Sequence, residues 1–131
     1  MGWAIQAVEN DDLLTERKAQ LETLAKLPTA GKVKRFEIAQ RLSVDPEKTR
    51  AVLELWLLWW RDMVLTAHNC IDLTVNVDMR DILVQQAKKV GMSEAERMVH
   101  AILGTMETLD QNVNTRASLE VLMLDVPTIN T

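Results

Sequence analysis

The feature that most constrains this chain is the apolar run from Leu53 to Leu65, Leu-Glu-Leu-Trp-Leu-Leu-Trp-Trp-Arg-Asp-Met-Val-Leu, which holds three of the four tryptophans. The pattern predicts a helix that is apolar nearly all round and leaves only Glu54, Arg61 and Asp62 for water. Such a helix must be covered on several sides, either by the rest of the chain or by another chain.

Charge and cysteine content narrow the class of protein. The chain has a net charge of −4, with 19 acidic against 15 basic side chains, so charge imposes no nucleic-acid partner. The single cysteine, Cys70, excludes an internal disulfide and fits a cytoplasmic setting. We expect no signal peptide and no membrane span, because the most apolar run is too short to cross a bilayer. The best basic cluster is weak and is read as a solvated surface: Lys26, Lys32, Lys34 and Arg35.

Helical periodicity and the few turn residues predict an all-α fold, a single bundle of about five to six helices. The predicted helices follow a short helical piece at residues 2–8 and cover residues 13–27, 32–42, 46–68, 79–90, about 93–111 and 115–124. Residues 69–77 interrupt the pattern and are predicted to form an ordered loop. The second helix is expected to bury Val33, Phe36, Ile38, Ala39 and Leu42.

Capping signals place the helix boundaries. Asp45 followed by Pro46 is predicted to start the central helix, and Asp78 and Asn114 are predicted to cap two later helices. A capping box is expected at residues 93–96, where a serine and a glutamate three positions later can satisfy each other's main-chain amides.

The polar residues form no catalytic or metal-binding pattern. His68 and Cys70 offer two ligands where a structural metal site needs four, and no third group would activate the thiol. Residues 29–32, Thr-Ala-Gly-Lys, lack the earlier glycine and the preceding strand of a phosphate loop. The sequence therefore predicts a chain that is not an enzyme and holds no cofactor or metal.

Residues 38–50 leave one alternative function open. A helix with a small residue, a tight turn and a second helix there are similar to a helix-turn-helix. A recognition helix must expose polar side chains to base edges, however, and this second helix continues into the apolar run. A small helix-turn-helix DNA-binding protein is the alternative interpretation.

Four stretches carry a resemblance to a known family: Gly2-Trp3-Ala4, Trp60-Arg61-Asp62-Met63-Val64-Leu65, Val75-Asn76-Val77-Asp78 and Asn112-Val113-Asn114-Thr115-Arg116-Ala117-Ser118-Leu119-Glu120-Val121-Leu122-Met123-Leu124. In order and spacing they resemble the C-terminal domain of the bacterial DNA polymerase III delta-prime subunit, a part of the clamp loader. The gamma/tau subunits are the nearest confusable relatives.

The resemblance implies a helical collar domain that packs in a ring with the collar domains of gamma/tau and delta, contacting DNA only indirectly and no membrane. It assigns residues 1–10 to the end of a preceding lid or linker helix, 11–127 to the collar and 128–131 to a tail. Because the sequence begins abruptly inside a helical pattern, the chain is expected to be a fragment of a longer protein. The nucleotide-binding module, zinc site and arginine finger of that family precede this region, so no ATP hydrolysis is expected.

The candidate subunit-interface residues are Trp56, Trp59, Trp60, Met63 and Arg116. Successive helical residues are about 100° apart, so the three tryptophans cannot all point to one side. Two interpretations therefore stay open: some of them contact a neighbouring subunit, or all of them lie in the core of this chain.

Overall fold

The computed structural model describes residues 15–111 and 114–129. In this part the chain forms α1 (residues 15–26), α2 (Lys32–Leu42), α3 (Pro46–Ala67), α4 (Arg80–Val90), α5 (Met92–Asp110) and α6 (Thr115–Asp125), with no strand among the described residues. Short 3-10 turns cover Leu27–Thr29, Ile71–Leu73 and Val77–Met79. The prediction of an all-α fold is confirmed. The helical piece predicted at residues 2–8 lies outside the described residues.

The central helix α3 is the longest, with 22 residues, which corresponds to a length of about 33 Å. Its start is as predicted: Pro46 is the first helical residue, and Asp45 accepts a hydrogen bond from the main-chain N–H of Glu47 at 3.1 Å. Past its end, Asn69 adopts a left-handed conformation with φ 62°.

Helix α3 packs mainly against α5 and α4, and the turn Ile71–Leu73 folds against it. Helix α2 packs against α6 rather than along α3, and α6 also contacts α5. The core lies between these packed helices. Its largest fully buried side chains are Trp56, Trp59, Trp60, Leu24, Leu27, Leu53, Met63, Leu83, Met98, Ile102, Leu119 and Leu122.

Of the side-chain caps predicted for α4 and α6, only the cap of α6 is present. Asn114 caps α6 as predicted, because its side-chain oxygen accepts a hydrogen bond from the N–H of Ala117 at 3.1 Å. The prediction that Asp78 caps α4 is wrong. Asp78 lies inside the turn Val77–Met79, and α4 begins only at Arg80 with no side-chain cap.

The capping box predicted for α5 is also wrong. Helix α5 begins at Met92, so Ser93 is already inside its first turn and cannot take the extended conformation of a cap. Gly91 occupies that position with φ 84°, a conformation that favours glycine, and it also ends α4.

The buried face of α2 is rotated from the predicted one. Ile38 and Ala39 are buried as expected, but Val33 is 74% exposed and Phe36 is 36% exposed. Arg35 takes the inward position instead. None of the helices in the described ranges combines the length and hydropathy that crossing a membrane requires.

Candidate subunit interface

The tryptophans of α3 lie inside the chain. Trp56, Trp59, Trp60 and Met63 have essentially no exposed surface, and of the five candidate interface residues Arg116 alone is exposed. A side chain with no exposed area cannot contact a partner unless the fold opens. In this fold the four residues can act on an interface only by fixing the position of α3.

The three indole groups contribute by packing. The indole N–H groups of Trp56, Trp59 and Trp60 have no hydrogen-bond partner among the described residues. Their stabilising effect must therefore come from the large apolar area and the many close contacts of the rings, which outweigh the cost of burying the N–H groups.

Asp62 fixes the loop that follows α3. The sequence predicted it on the water side of the helix, but its side chain is buried, and this prediction is wrong. The carboxylate accepts hydrogen bonds from the main-chain N–H of Val75 at 3.2 Å and of Asn76 at 2.8 Å, and from the side-chain amide of Asn76 at 2.7 Å. Three donors satisfy a charge that would otherwise be costly to bury.

A second polar contact holds the same loop. Thr74 is buried, and its hydroxyl donates to the carbonyl of Ile71 at 2.6 Å and accepts from Nε of Arg80 at 3.0 Å. The guanidinium of Arg80 also donates to the carbonyl of Asp72 at 3.4 Å. The side chains of Thr74 and Asn76 are therefore turned inward and paired.

The apolar side chains of this loop point outward. Leu73 is 68% exposed, Val75 58% and Val77 56%, whereas the alternating Thr74 and Asn76 face the protein. This reverses the usual arrangement, in which polar residues meet the solvent. We name Leu73, Val75 and Val77, with the exposed carboxylates of Asp72 and Asp78 beside them, the acidic ridge.

A buried arginine ties the turn after α1 to the end of α6 and the residues that follow it. Nε of Arg35 donates to the carbonyls of Leu27 at 3.2 Å and Ala30 at 3.1 Å. Its terminal nitrogens donate to the carbonyls of Met123 at 3.1 Å and Val126 at 2.8 Å and to the Thr128 hydroxyl at 3.2 Å. Burial lowers the pKa of this guanidinium from its ordinary value, yet arginine keeps its proton in proteins.

Surface ion pairs join α5 to its neighbours. Arg97 donates to Glu94 at 2.6 Å and to the main-chain carbonyl of Asp125 at the end of α6, and the hydrogen bond with Glu94 is the main reason its pKa is raised. Arg50 on α3 pairs with Asp110 on α5, which raises the pKa of Arg50. Exposed pairs of this kind contribute little stability each.

An apolar groove with a volume of about 550 Å³ runs between α1 and α3. Val52, Leu55 and Leu58 form its apolar lining on α3, and charged residues such as Glu16 and Lys48 border it. Along this groove α3 is partly open to solvent, although most of its residues between Val52 and Met63 are buried.

The structure does not bring His68 and Cys70, the candidate metal ligands or catalytic groups, into a larger cluster of such side chains among the described residues. His68 is exposed and its Nε2 lies 3.4 Å from a carboxylate oxygen of Glu96, whereas the Cys70 thiol donates to the His68 carbonyl at 3.6 Å. Within the described ranges no group of three His, Cys, Asp or Glu side chains is placed to hold a metal ion.

The helix-turn-helix alternative gains no support from the described residues. Helices α2 and α3 are joined by a short turn, but α3 is mostly buried from Val52 to Met63, with its three tryptophans in the core, so it is open to solvent mainly in its first turns. Arg50, an exposed cation near the start of α3, is already paired with Asp110 and Glu54.

Sequence reasoning missed Asp62, Arg35 and the acidic ridge. The alternation Leu-Thr-Val-Asn-Val at residues 73–77 is visible in the sequence, but its direction is not. The signal for Asp62 was its place between Trp60 and Met63, since a carboxylate inside an apolar run needs buried donors.

These features define an all-α domain with one tryptophan-filled core and a surface loop that presents apolar side chains. Residues 11–128 match the family model described as DNA polymerase III, delta subunit, C terminal, and the chain belongs to this family. The family is part of a non-catalytic clamp-loader subunit, so the domain is not an enzyme. A search of the curated proteins and a search of the solved structures each gave no match.

The family assignment is coarser than the resemblance noted in the sequence. It supports a C-terminal domain of a clamp-loader subunit and interaction with other subunits of the DNA polymerase III assembly, and it does not single out delta-prime.

Proposed function

We propose that this domain is the collar domain of a clamp-loader subunit, occupying residues 11–127, and that it binds the collar domains of neighbouring subunits. The family match over residues 11–128 carries the proposal. The domain then acts by assembly: it holds together a loader that opens a sliding clamp and places it on primed DNA in the cytoplasm.

Among the clamp-loader subunits we infer delta-prime, with gamma/tau and delta as the partners and DNA contacted only indirectly. Four stretches in order support this choice, of which Trp60 to Leu65 and Val75 to Asp78 lie wholly in the described part of the chain. Residues 1–10 are proposed to end a preceding lid helix, and residues 128–131 to form a tail.

The buried candidates support the interface from within. Trp56, Trp59, Trp60 and Met63 fill the core and fix α3, while Arg116 reaches the surface of α6, where its Nε contacts Glu120 at 3.0 Å. Arg116 stays the one direct interface candidate among the five. An i,i+4 pair of this type is weak, so the guanidinium can be redirected to a partner at low cost.

Mixing the chain with gamma/tau-type subunits and measuring the mass in solution tests the proposal. We expect a complex at micromolar concentration, and its absence there overturns the collar function. Arg116→Ala is expected to weaken the complex while leaving the melting temperature of the isolated domain unchanged. Glu107→Ala, an exposed change on α5, serves as its control.

The subunit assignment has a test of its own. This domain can replace the collar domain of delta-prime in one chimera and that of delta in another. We expect the delta-prime chimera to restore loader assembly and the delta chimera to fail. The reverse result assigns the chain to delta, while leaving the collar function intact.

A further inference from the structure

The acidic ridge exposes apolar side chains on a loop that is held in one shape. The carboxylate of Asp62 and the hydroxyl of Thr74 fix the loop from inside, so Leu73, Val75 and Val77 cannot turn inward without breaking those hydrogen bonds. A loop with polar groups buried and apolar groups exposed is costly in an isolated domain. A partner that covers the apolar side chains removes that cost.

The charge beside these apolar side chains is negative. Asp72 and Asp78 flank the ridge in the sequence and are exposed, and Asp81 follows in the first turn of α4. The nearby cation, Arg80, directs its guanidinium to the Thr74 hydroxyl and to the Asp72 carbonyl. A surface that pairs with the ridge must therefore combine apolar side chains with lysine or arginine.

We propose that the acidic ridge docks against a basic, apolar helix face on the collar domain of a neighbouring clamp-loader subunit. This inference rests on the collar function proposed above and names the surface that performs it. The partner face covers Leu73, Val75 and Val77 with its own apolar side chains. Its cations lie against Asp72 and Asp78.

This chain carries a face of the required chemistry in another place. On α2, Val33 and Phe36 are exposed, and Lys32 and Lys34 are exposed beside them. Helix α2 precedes α3 in the chain, whereas the ridge follows the end of α3 and is held by Asp62 near that end. Related domains that each carry two unlike faces can make head-to-tail contacts, which form a ring when the rotation between neighbours closes and an open filament when it does not.

The test compares association with gamma/tau-type subunits between the wild-type chain and two ridge variants. Val75→Ser with Val77→Ser removes the apolar contact, and Asp72→Lys with Asp78→Lys reverses the charge. Val121→Ser on α6 is the matched apolar control, because Val121 is 61% exposed and Val75 58%. Glu107→Lys on α5 is the control for charge.

We expect each ridge variant to weaken association about tenfold or more, as central apolar and charged contacts do, with both controls unchanged. Association of the wild type should weaken as salt rises, and the charge-reversed variant should lose that dependence. Equal melting temperatures for all five proteins establish that the variants fold.

Two results overturn the inference while leaving the collar function standing. In one, the wild type associates and the ridge variants associate equally well. In the other, the variants abolish only a dimer of the chain with itself, so that the occupant is a second copy. No association by the wild type overturns the collar function and the docking inference together.

Discussion

Asn76 is held twice by Asp62: one carboxylate oxygen accepts both its main-chain N–H, at 2.8 Å, and its side-chain amide, at 2.7 Å. The two residues are 14 positions apart, and Asp62 has almost no exposed surface. A charge on the central helix thus determines the shape of the loop beyond the end of that helix. Stability and surface presentation are coupled through this one side chain.

Asp62→Asn tests that coupling. The substitution keeps the size of the side chain but removes the charge, and one of its two oxygens becomes an N–H donor that faces other donors. We expect a loss of about 2 to 4 kcal/mol in the free energy of unfolding, measured by urea denaturation, and weaker association with gamma/tau-type subunits.

The control for this variant is Asp81→Asn, at an exposed position on α4. It is expected to leave the free energy of unfolding within about 0.5 kcal/mol of the wild type. If Asp62→Asn is as mild as Asp81→Asn, the hydrogen bonds to Val75 and Asn76 contribute little, and the loop is held by other contacts.

Arg35→Lys tests the connection between α2 and the end of α6. Lysine keeps the charge, but a single ammonium group cannot reach acceptors as far apart as the carbonyls of Leu27 and Val126. We expect a loss of about 2 to 4 kcal/mol in the free energy of unfolding, because several buried carbonyls lose their donor.

Arg41→Lys is the control, since Arg41 lies on the same helix and is exposed. The two variants have equal charge, so a difference between them in chemical denaturation reports the geometry of the guanidinium. Equal stability of the Arg35 and Arg41 variants contradicts a structural role for the buried one.

Local signals in the sequence predicted those features that depend on neighbouring residues. Asp45 and Asn114 cap helices because each reaches an N–H only two or three positions later. Ser93 offered the same signal and failed, because the helix begins at Met92, two residues too early for Ser93 to precede it. A local signal is therefore reliable only if the preceding turn leaves its residue outside the helix.

Features that depend on distant residues could not be predicted. Arg35 reaches Val126, which is 91 positions away, and its inward position rotates α2 so that Val33 meets the solvent. The residues near Arg35 in the sequence give no sign that distant main-chain carbonyls will accept its hydrogen bonds. The tryptophans were ambiguous for the same reason, because their environment depends on where α4 and α5 pack.

Gly91→Ala tests the turn between α4 and α5. A methyl group at this position would meet no atom within 4 Å, so crowding is not the issue. The positive φ of 84° is unfavourable for alanine, and we expect a loss of about 1 to 2 kcal/mol in the free energy of unfolding.

Gly104→Ala gives the opposite expectation at a matched position. Gly104 lies within α5, and a methyl group there also meets nothing within 4 Å. Inside a helix, alanine is more stable than glycine by about 0.5 to 1 kcal/mol. The melting temperature of the Gly104→Ala variant should therefore be higher than that of the wild type. Two changes of the same sign contradict the backbone explanation for Gly91.

Trp59→Ala decides between the two interpretations that the sequence left open for the tryptophans. Trp59 is fully buried in the isolated chain, so its loss leaves a cavity whether or not a partner is present. We expect the free energy of unfolding to fall by about 3 to 5 kcal/mol, a large share of the roughly 5 to 15 kcal/mol that stabilises a typical domain. Trp59→Phe, which keeps a ring in place, should lose less and stay folded.

Leu58→Ala is the control, because Leu58 is only half-buried and lies on the open groove beside α1. In urea denaturation of the chain alone, Leu58→Ala should lower the free energy of unfolding by less than Trp59→Phe does. The core interpretation requires that association with gamma/tau-type subunits falls only as far as the folded fraction falls. A Trp59→Phe chain of unchanged stability that no longer associates would instead place the ring in the subunit interface.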